Sequence, residues 1–313
     1  INIYYMLKNI KSIISKLKST RLWYNFLLYF FLPIFNFIWE FILNLEGKIY
    51  YLLWGTQRRQ FFNLLNNDKL LVKDNPEFQK IAKDLKNYIN EDLQNREIKK
   101  FKENLDFEKL NNKFEDYRVN LFDALPNDLK HKIIEFALDE KNLTTAANHL
   151  KVFPVIGKIY LFLNFPVKEK NERGAMLWHK DDFGYKSLDI FLAISDVDIN
   201  NGPLYFLRKK NELGVFFKIK DVIQNAQQGE RNKVSLDVFS NYYKEDDVGA
   251  LIGKSGTGIL IDSFTKYHRG GFCKSQNRIM LRVSYQTPDS SRGNKAYNPD
   301  NFYYYPKVKK SNL

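Results

Sequence analysis

The sequence predicts an α+β fold in which a helical region is followed by a double-sheet jelly roll of mainly antiparallel strands. Residues 60–150 are polar and rich in lysine, with apolar residues at helical spacing. From Ile156 onward the pattern changes to short β-rich runs separated by Gly, Asn and Asp turns. Helices first and many short strands afterwards are typical of an α+β chain with a jelly roll. The runs are IYLFLNF, LDIFLAI, PLYFL, GILID and RIMLRVSY.

Proline marks the start of two predicted helices in the first half of the chain. Pro76 and Glu77 stand where a helix can begin, because proline fits the first helical turn and an acidic side chain is favourable there. Pro126 precedes a second helix, which is predicted to run to about Glu140. Thr144–Leu150 is predicted to form one more short helix.

The composition excludes several classes of protein. The chain is 44% hydrophobic and 16% aromatic, which excludes a wholly disordered or collagen-like chain. Its single cysteine, Cys273, cannot form an intrachain disulfide, so a stapled secreted scaffold is excluded and a cytoplasmic location is expected. The formal charge of +13 accompanies a general bias towards Lys and Asn, so it is weak evidence for any particular partner.

An uncharged aromatic segment lies between two basic flanks near the beginning of the chain. Residues 1–60 contain eight Lys and Arg against two Glu, and residues 22–39 carry no formal charge. That run reaches the lower length limit for a membrane span, but Pro33 interrupts it and the two basic flanks indicate no orientation. The segment could pack on the protein, lie on a membrane or span it. We expect peripheral contact with the inner, anionic membrane face.

Two regions are therefore predicted along the chain. Residues 1–60 form a basic, aromatic N-terminal segment with possible membrane contact. Residues 61–313 form a helical support and a jelly-roll domain, with a catalytic core at about 156–290. Within that core, the polar stretch from Asp221 to Asp247 is expected to be a loop or lid over a substrate.

Two histidines and one aspartate form the strongest candidate site. His179 and Asp181 are two residues apart, so in an extended segment both side chains project to the same side and can meet one ion. His268 follows a strand-like run much later in the chain. Two histidines and a carboxylate make a facial triad on Fe(II), which leaves positions open for a bidentate cosubstrate and O₂. We interpret these three residues as metal ligands and as the catalytic centre.

An arginine near the distal histidine is the candidate anchor for the cosubstrate. Arg278 opens the last strand and can hold the distal carboxylate of 2-oxoglutarate by a two-point, charge-assisted contact. Arg282 lies on the same face of that strand and is the competing candidate. Tyr160 and Asn164 on an earlier strand are candidate cosubstrate neighbours, and Phe191 is a candidate pocket residue.

Four sequence features together resemble the phytanoyl-CoA dioxygenase family of Fe(II)/2-oxoglutarate oxygenases. They are Trp178-His179-Lys180-Asp181, the segment SDVDINNGPL, the segment GTGILIDSFTKYHRGG, and Arg278 ahead of IMLRVSY. The resemblance runs from about Tyr160 to Gln286, and the order of the four motifs is more specific than any one of them.

The resemblance implies a double-stranded β-helix, a cupin-like jelly roll, in which His179, Asp181 and His268 bind iron and Arg278 binds 2-oxoglutarate. It implies a dioxygenase that hydroxylates a small-molecule, lipid or glycan-linked substrate. An aspartate at position 181 disfavours the halogenating branch of such enzymes, which needs that position free for halide.

Other readings of the sequence are less favoured. His131 and His149 lie in polar helices and are expected on helix surfaces, and Cys273 is expected to be unreactive. The alternative function is that of a basic membrane-surface or nucleic-acid binding protein with a non-catalytic jelly roll. No zinc finger, KH loop or RNP1-like run supports the nucleic-acid version, so no nucleic-acid partner is expected.

Deleting residues 1–60 should leave a soluble core that still binds iron, because the metal motifs begin more than a hundred residues later. The full chain should sediment with anionic vesicles at low salt and be released by added salt, since each Lys or Arg near the surface contributes about 1 kcal/mol. Vesicle sedimentation of both proteins measures this. Equal behaviour of the two, without vesicle binding, would indicate an ordinary packed helix.

Overall fold

The helical block and the strand block follow each other in the order that the sequence predicts. The computed structural model describes Leu45, Tyr51 and residues 71–104, 116–168, 172–181, 187–208, 233–240 and 243–287. The strands are β1 (Leu71–Val72), β2 (Arg118–Asn120), β3 (Val155–Asn164), β4 (Trp178–His179), β5 (Ser187–Ala193), β6 (Leu204–Leu207), β7 (Lys233–Val234), β8 (Val248–Leu251), β9 (Gly258–Ile261), β10 (His268–Gly270) and β11 (Arg278–Gln286). The helices are α1 (Pro76–Tyr88), α2 (Glu91–Glu103), α3 (Asn127–Ala137), α4 (Glu140–Leu150) and α5 (Leu236–Ser240).

The described strands form two antiparallel sheets. The major sheet has the order β1-β9-β5-β11-β3-β2, and the minor sheet has the order β7-β4-β10-β6-β8. Apart from the short edge strands β1, β2 and β7, four strands in each sheet are joined so that the chain passes repeatedly from one sheet to the other. This is the strand order of a double-stranded β-helix, so the predicted α+β jelly-roll fold is confirmed.

Every strand-like run in the sequence lies in a strand of the structure, whereas several short strands were not predicted. The predicted runs correspond to β3, β5, β6, β9 and β11. The edge strands β1, β2 and β7 have only two or three residues each, which is too short to show an alternating pattern. Their pairing with neighbouring strands, rather than their own composition, makes them strands.

Helix ends are set by local capping. Helix α1 begins at Pro76, as predicted, and the Asn75 side chain accepts a hydrogen bond from the Phe78 N–H at 3.1 Å. The helix predicted after Pro126 is present as α3, although it ends at Ala137, three residues before the predicted end near Glu140. The Asp139 carboxylate accepts the N–H of Lys141 at 2.9 Å and so begins α4, four residues before the predicted start.

The helices α1, α3 and α4 pack against one face of the major sheet. Their buried residues Leu85, Ile133 and Leu143 belong to the same core cluster as Leu161 of β3 and Leu281 of β11. Side chains alternate along a strand, so the neighbours of these leucines point to the opposite face, towards the minor sheet. The helices therefore make one face of the major sheet dry and apolar and leave the other face for a site between the sheets.

No helix among the described residues has both the length and the apolar character that a bilayer crossing requires. Residues 22–39, on which the prediction of membrane contact depends, lie outside the described residues. Membrane contact by residues 1–60 therefore stays a prediction.

Replacing Tyr285 by Phe should lower the free energy of unfolding by about 1 to 3 kcal/mol, because a buried carbonyl would lose its partner. The Tyr285 hydroxyl donates a 2.7 Å hydrogen bond to the Ala137 carbonyl and so joins β11 to the end of α3. Urea unfolding measures the change. Tyr88→Phe is the matched control, because Tyr88 is 40% exposed at the end of α1 and should change stability by less than about 0.5 kcal/mol. Equal stabilities of the two variants would contradict the assigned role.

Candidate metal centre

Two neighbouring strands of the minor sheet bring the three predicted metal ligands together. His179 ends β4, Asp181 follows it, and His268 begins β10. Strands β4 and β10 are antiparallel neighbours in which His268 lies directly opposite His179, so the two ring centroids are 4.4 Å apart. One ligand atom from each of the three residues lies within 4.8 Å of the others. The group has the composition and spacing of a site for one metal ion.

Backbone carbonyls fix the tautomer of both histidines. The His179 Nδ1 lies 2.7 Å from the Leu177 carbonyl oxygen, and the His268 Nδ1 lies 3.2 Å from the Lys266 carbonyl oxygen. A carbonyl only accepts, so Nδ1 carries the proton and donates in each ring. The Nε2 atoms, at 3.8 and 3.9 Å from Asp181 Oδ1, therefore keep their lone pairs directed into the site.

The protonation states of the triad also suit a divalent cation. Burial, together with the neighbouring His268, lowers the pKa of His179 to about 3, and burial lowers the pKa of His268 as well. Both rings are therefore neutral near pH 7. Burial alone would raise the pKa of Asp181, but the Arg282 guanidinium, together with His268 and His179, outweighs it and holds that pKa below its usual value. Two neutral nitrogens and one carboxylate form the donor set of a non-haem Fe(II) centre.

The Asp181 carboxylate is held from behind by the major sheet. Its Oδ2 accepts a hydrogen bond from Arg282 Nη2, while its Oδ1 faces the two histidines. The Asp181 backbone N–H donates to the Ser263 carbonyl at 2.9 Å. The same arginine also contacts a second carboxylate, because Arg282 Nε donates to Asp189 Oδ1 at 3.0 Å. The arginine that the sequence offered as a second cosubstrate anchor is thus bound to two carboxylates.

Arg278 is buried, and no carboxylate among the described residues forms an ion pair with it. It is 5% exposed, and among the described residues its Nε and Nη1 atoms have no hydrogen-bond partner. Leaving guanidinium donors buried and unpaired is costly, so the position suits an anionic ligand. Arg278 lies about 14 Å along β11 from Arg282, at a rise of about 3.4 Å per residue.

The remaining candidates lie in cross-strand rows with these arginines. Asn164 of β3 is paired with Arg278 and is 5% exposed, whereas Tyr160 is paired with Arg282. Phe191 of β5 is paired with Arg282 from the other side, and the guanidinium carbon lies 5.0 Å from its ring centroid. Paired residues in antiparallel strands share a face. Asn164 is thus a neighbour of the buried cation, and Tyr160 and Phe191 flank the arginine behind the metal ligand.

The described residues of the expected lid are 233–240 and 243–247. They include strand β7, which extends the minor sheet, and helix α5. Strand β7 pairs with β4, and Phe239 of α5 stacks on Trp178 with ring centroids 4.0 Å apart. Trp178 and His179 are adjacent in β4, so they face opposite sides, and Phe239 supports the strand from the side away from the metal ligands. Residues 233–240 thus contain a short strand and a short helix rather than an irregular loop, and the expectation that the segment covers a substrate stays a prediction. Residues 209–232 lie outside the described residues.

Two further side chains near the site have roles that their sequence surroundings do not reveal. His149, expected on a helix surface, instead makes a 3.0 Å contact from Nε2 to Asp262 Oδ2, which ties α4 to the end of β9. Asp189 is fully buried, and its only sequence signal is a carboxylate inside the apolar run LDIFLAI.

His131 is on an exposed helix face, as expected. Cys273 is buried, and burial raises the pKa of its thiol, which agrees with an unreactive cysteine.

Comparison with known proteins gave structural neighbours only. No protein-family model matches the chain, and no curated protein matches it. The non-heme alpha ketoglutarate dependent epimerase SnoN from nogalamycin biosynthesis is 14% identical, with a TM-score of 0.33, over 54% of this chain and 61% of SnoN. AviO1 from Streptomyces viridochromogenes Tue57 is 15% identical, with a TM-score of 0.36, over 72% of this chain and 88% of AviO1. HygX from Streptomyces hygroscopicus, solved with nickel and 2-oxoglutarate bound, is 12% identical, with a TM-score of 0.35, over 60% of this chain and 77% of HygX.

Anaerobic titration should show one Fe(II) bound per chain, and His179→Ala, Asp181→Ala and His268→Ala should each abolish that binding, because each removes one of three ligands. His131→Ala is the matched control, since this histidine lies on an exposed face of α3 and should leave binding unchanged. Circular dichroism checks that each variant is folded. Retention of full iron binding by all three ligand variants would contradict the site.

Proposed function

We propose that the protein is an Fe(II)- and 2-oxoglutarate-dependent dioxygenase that hydroxylates a small-molecule, lipid or glycan-linked substrate. The observation that carries the proposal is a triad of two neutral histidines and one carboxylate at the minor sheet, together with a buried arginine of the major sheet whose Nε and Nη1 atoms have no hydrogen-bond partner among the described residues. The motif order that resembles the phytanoyl-CoA dioxygenase family supports the same reaction class.

His179, Asp181 and His268 would hold the ferrous ion. When bound, the ion supplies the O₂ chemistry of the reaction, in which 2-oxoglutarate, O₂ and substrate become succinate, CO₂ and hydroxylated product. Two neutral imidazoles and one carboxylate neutralise only half of the charge of a divalent ion. The ion would therefore retain attraction for an anionic chelating ligand. This residual charge favours a keto acid as cosubstrate.

Arg278 would bind the distal carboxylate of 2-oxoglutarate. A guanidinium can present a two-donor edge to a carboxylate, and among the described residues the Nε and Nη1 atoms of Arg278, one on each of its two donor edges, have no hydrogen-bond partner. Asn164, buried beside it, is in place to orient the same ligand. Arg282 is less suitable, because its Nε and Nη2 atoms already donate to Asp189 and Asp181.

The protein's own contribution is to keep the site dry and its ligands fixed. Phe191 and Met280 are buried on the inner face of the major sheet, in one cluster with Phe206 of the minor sheet. Apolar walls of this kind exclude water and strengthen the charge interactions within the site. A carboxylate at position 181, rather than a small residue, favours hydroxylation over halogenation in this proposal.

In the Arg278→Ala protein, the required concentration of 2-oxoglutarate should rise by roughly a hundredfold or more. The reason is that loss of one partner of a buried charge pair costs about 3 to 5 kcal/mol. Iron binding should persist. The readout is the weak visible band that forms when 2-oxoglutarate is added to the iron protein without O₂.

Arg96→Ala is the matched control, since the Arg96 side chain is 66% exposed on α2 and should leave 2-oxoglutarate binding unchanged. Unaltered affinity in the iron-loaded Arg278→Ala protein would contradict the proposed anchor. A larger loss of 2-oxoglutarate affinity in Arg282→Ala, at equal iron loading, would transfer the role to Arg282.

A further inference from the structure

We propose that Asp189 is a positioning residue for the metal centre: it holds Arg282 against one oxygen of Asp181 and neutralises the guanidinium, so that the other oxygen can bind a divalent cation. The inference rests on the proposed function, because it concerns the same metal site. It assigns a role to a buried carboxylate that belongs to neither the triad nor the cosubstrate anchor.

A closed ring of four contacts joins Asp189 to the metal ligand. Asp181 Oδ2 accepts from Arg282 Nη2, and Arg282 Nε donates to Asp189 Oδ1 at 3.0 Å. Asp189 Oδ2 accepts from the Ser263 hydroxyl. The Ser263 carbonyl accepts from the Asp181 N–H at 2.9 Å, which closes the ring. Each member is therefore held by two others, and the orientation of Asp181 depends on all of them.

The ring assigns different tasks to the two oxygens of Asp181. Oδ2 is occupied by Arg282, whereas Oδ1 lies 3.8 and 3.9 Å from the Nε2 atoms of His179 and His268. With one oxygen held from behind, Asp181 offers a single oxygen to an ion between the histidines. Contacts behind a ligand that orient it in this way generally affect metal affinity almost as much as the ligands do.

The negative charge of Asp189 compensates the positive charge that Arg282 places next to the metal site. A guanidinium bound to the carboxylate ligand repels a divalent cation and competes with it for the same negative charge. Asp189 is fully buried and contacts the guanidinium directly, so Arg282 and Asp189 together are neutral. The group of Asp181, Arg282 and Asp189 then keeps the single negative charge that the triad requires.

The position of Asp189 in the major sheet places its side chain beside Arg282. It lies on β5 opposite Ser284 of β11, two residues from the Arg282–Phe191 pair, so its side chain shares the inner face with Arg282. The Ser263 hydroxyl that binds Asp189 Oδ2 is also 3.0 Å from the Ser187 hydroxyl. Both carboxylate oxygens of Asp189 are thus engaged, and neither is available to the ion itself.

The test is anaerobic titration of the full chain with Fe(II), or with Co(II) as a spectroscopic probe, without 2-oxoglutarate. Asp189→Asn keeps the shape but removes the charge and replaces one acceptor oxygen by an NH₂ donor, which the Ser263 hydroxyl can accept. It should weaken metal binding by about tenfold or more. Asp262→Asn is the matched control: it removes a neighbouring carboxylate that pairs with His149 outside the ring, and it should change affinity by less than about twofold.

A second pair of variants separates charge balance from structural support. Adding Arg282→Met to Asp189→Asn removes the uncompensated cation and should recover metal affinity, although it removes another contact. The Co(II) absorption spectrum of that double variant should differ from the wild-type spectrum, because Asp181 is then free to turn. A merely structural role predicts further loss of affinity in the double variant, and that result would overturn the proposal.

Ser263→Ala gives an independent check that keeps both charges. It removes the hydroxyl that donates to Asp189 and contacts Ser187, so it should weaken metal binding less than Asp189→Asn does. Unchanged metal affinity in a folded Asp189→Asn protein would overturn the inference alone. Failure of the wild-type chain to bind any divalent metal would instead overturn the proposed function.

Discussion

The contact between Asp181 and Arg282 is the interaction on which the candidate site depends, because it joins the two sheets at the metal ligands. Asp181 follows a strand of the minor sheet, whereas Arg282 lies in the middle of β11 in the major sheet. The Asp181 N–H also bonds to the Ser263 carbonyl at the end of β9. The histidines, by contrast, belong to the minor sheet alone. The orientation of Asp181 within the triad therefore depends on contacts between the two sheets.

The major sheet can carry this polar group because its two faces have different surroundings. Helices α1, α3 and α4 cover one face with apolar side chains, and this packing supplies most of the hydrophobic core. The inner face carries Arg278, Arg282 and Asp189, which would be costly to bury if they were unpaired. Arg282 and Asp189 compensate each other, and Arg278 is paired in the proposed complex with 2-oxoglutarate. The stability of the helical face thus permits charged groups on the inner face.

Two arginines four residues apart on one strand illustrate how neighbours rather than residue type assign roles. Both are buried, and both project from the inner face of β11. Arg282 is in a row with Phe191 and close to two carboxylates. Burial alone would lower the pKa of Arg282, but the two carboxylates raise it above its usual value. Arg278 is in a row with the neutral Asn164, and no carboxylate among the described residues forms an ion pair with it. Of these two arginines, only Arg278 is left available for an anionic ligand.

The sequence by itself determined the features that depend on local pattern. Short β-rich runs bounded by turn residues predicted five of the strands, and Pro76 and Glu77 predicted the start of α1. The two-residue spacing of His179 and Asp181 predicted that they share a side. Tertiary structure decided what depends on contacts between distant segments: the His268–His179 register, the two partners of Arg282, the burial of Asp189 and the pairing of His149 with Asp262. The physical reason is that periodicity reports which face a side chain takes, whereas the partner it meets depends on how the sheets and helices pack.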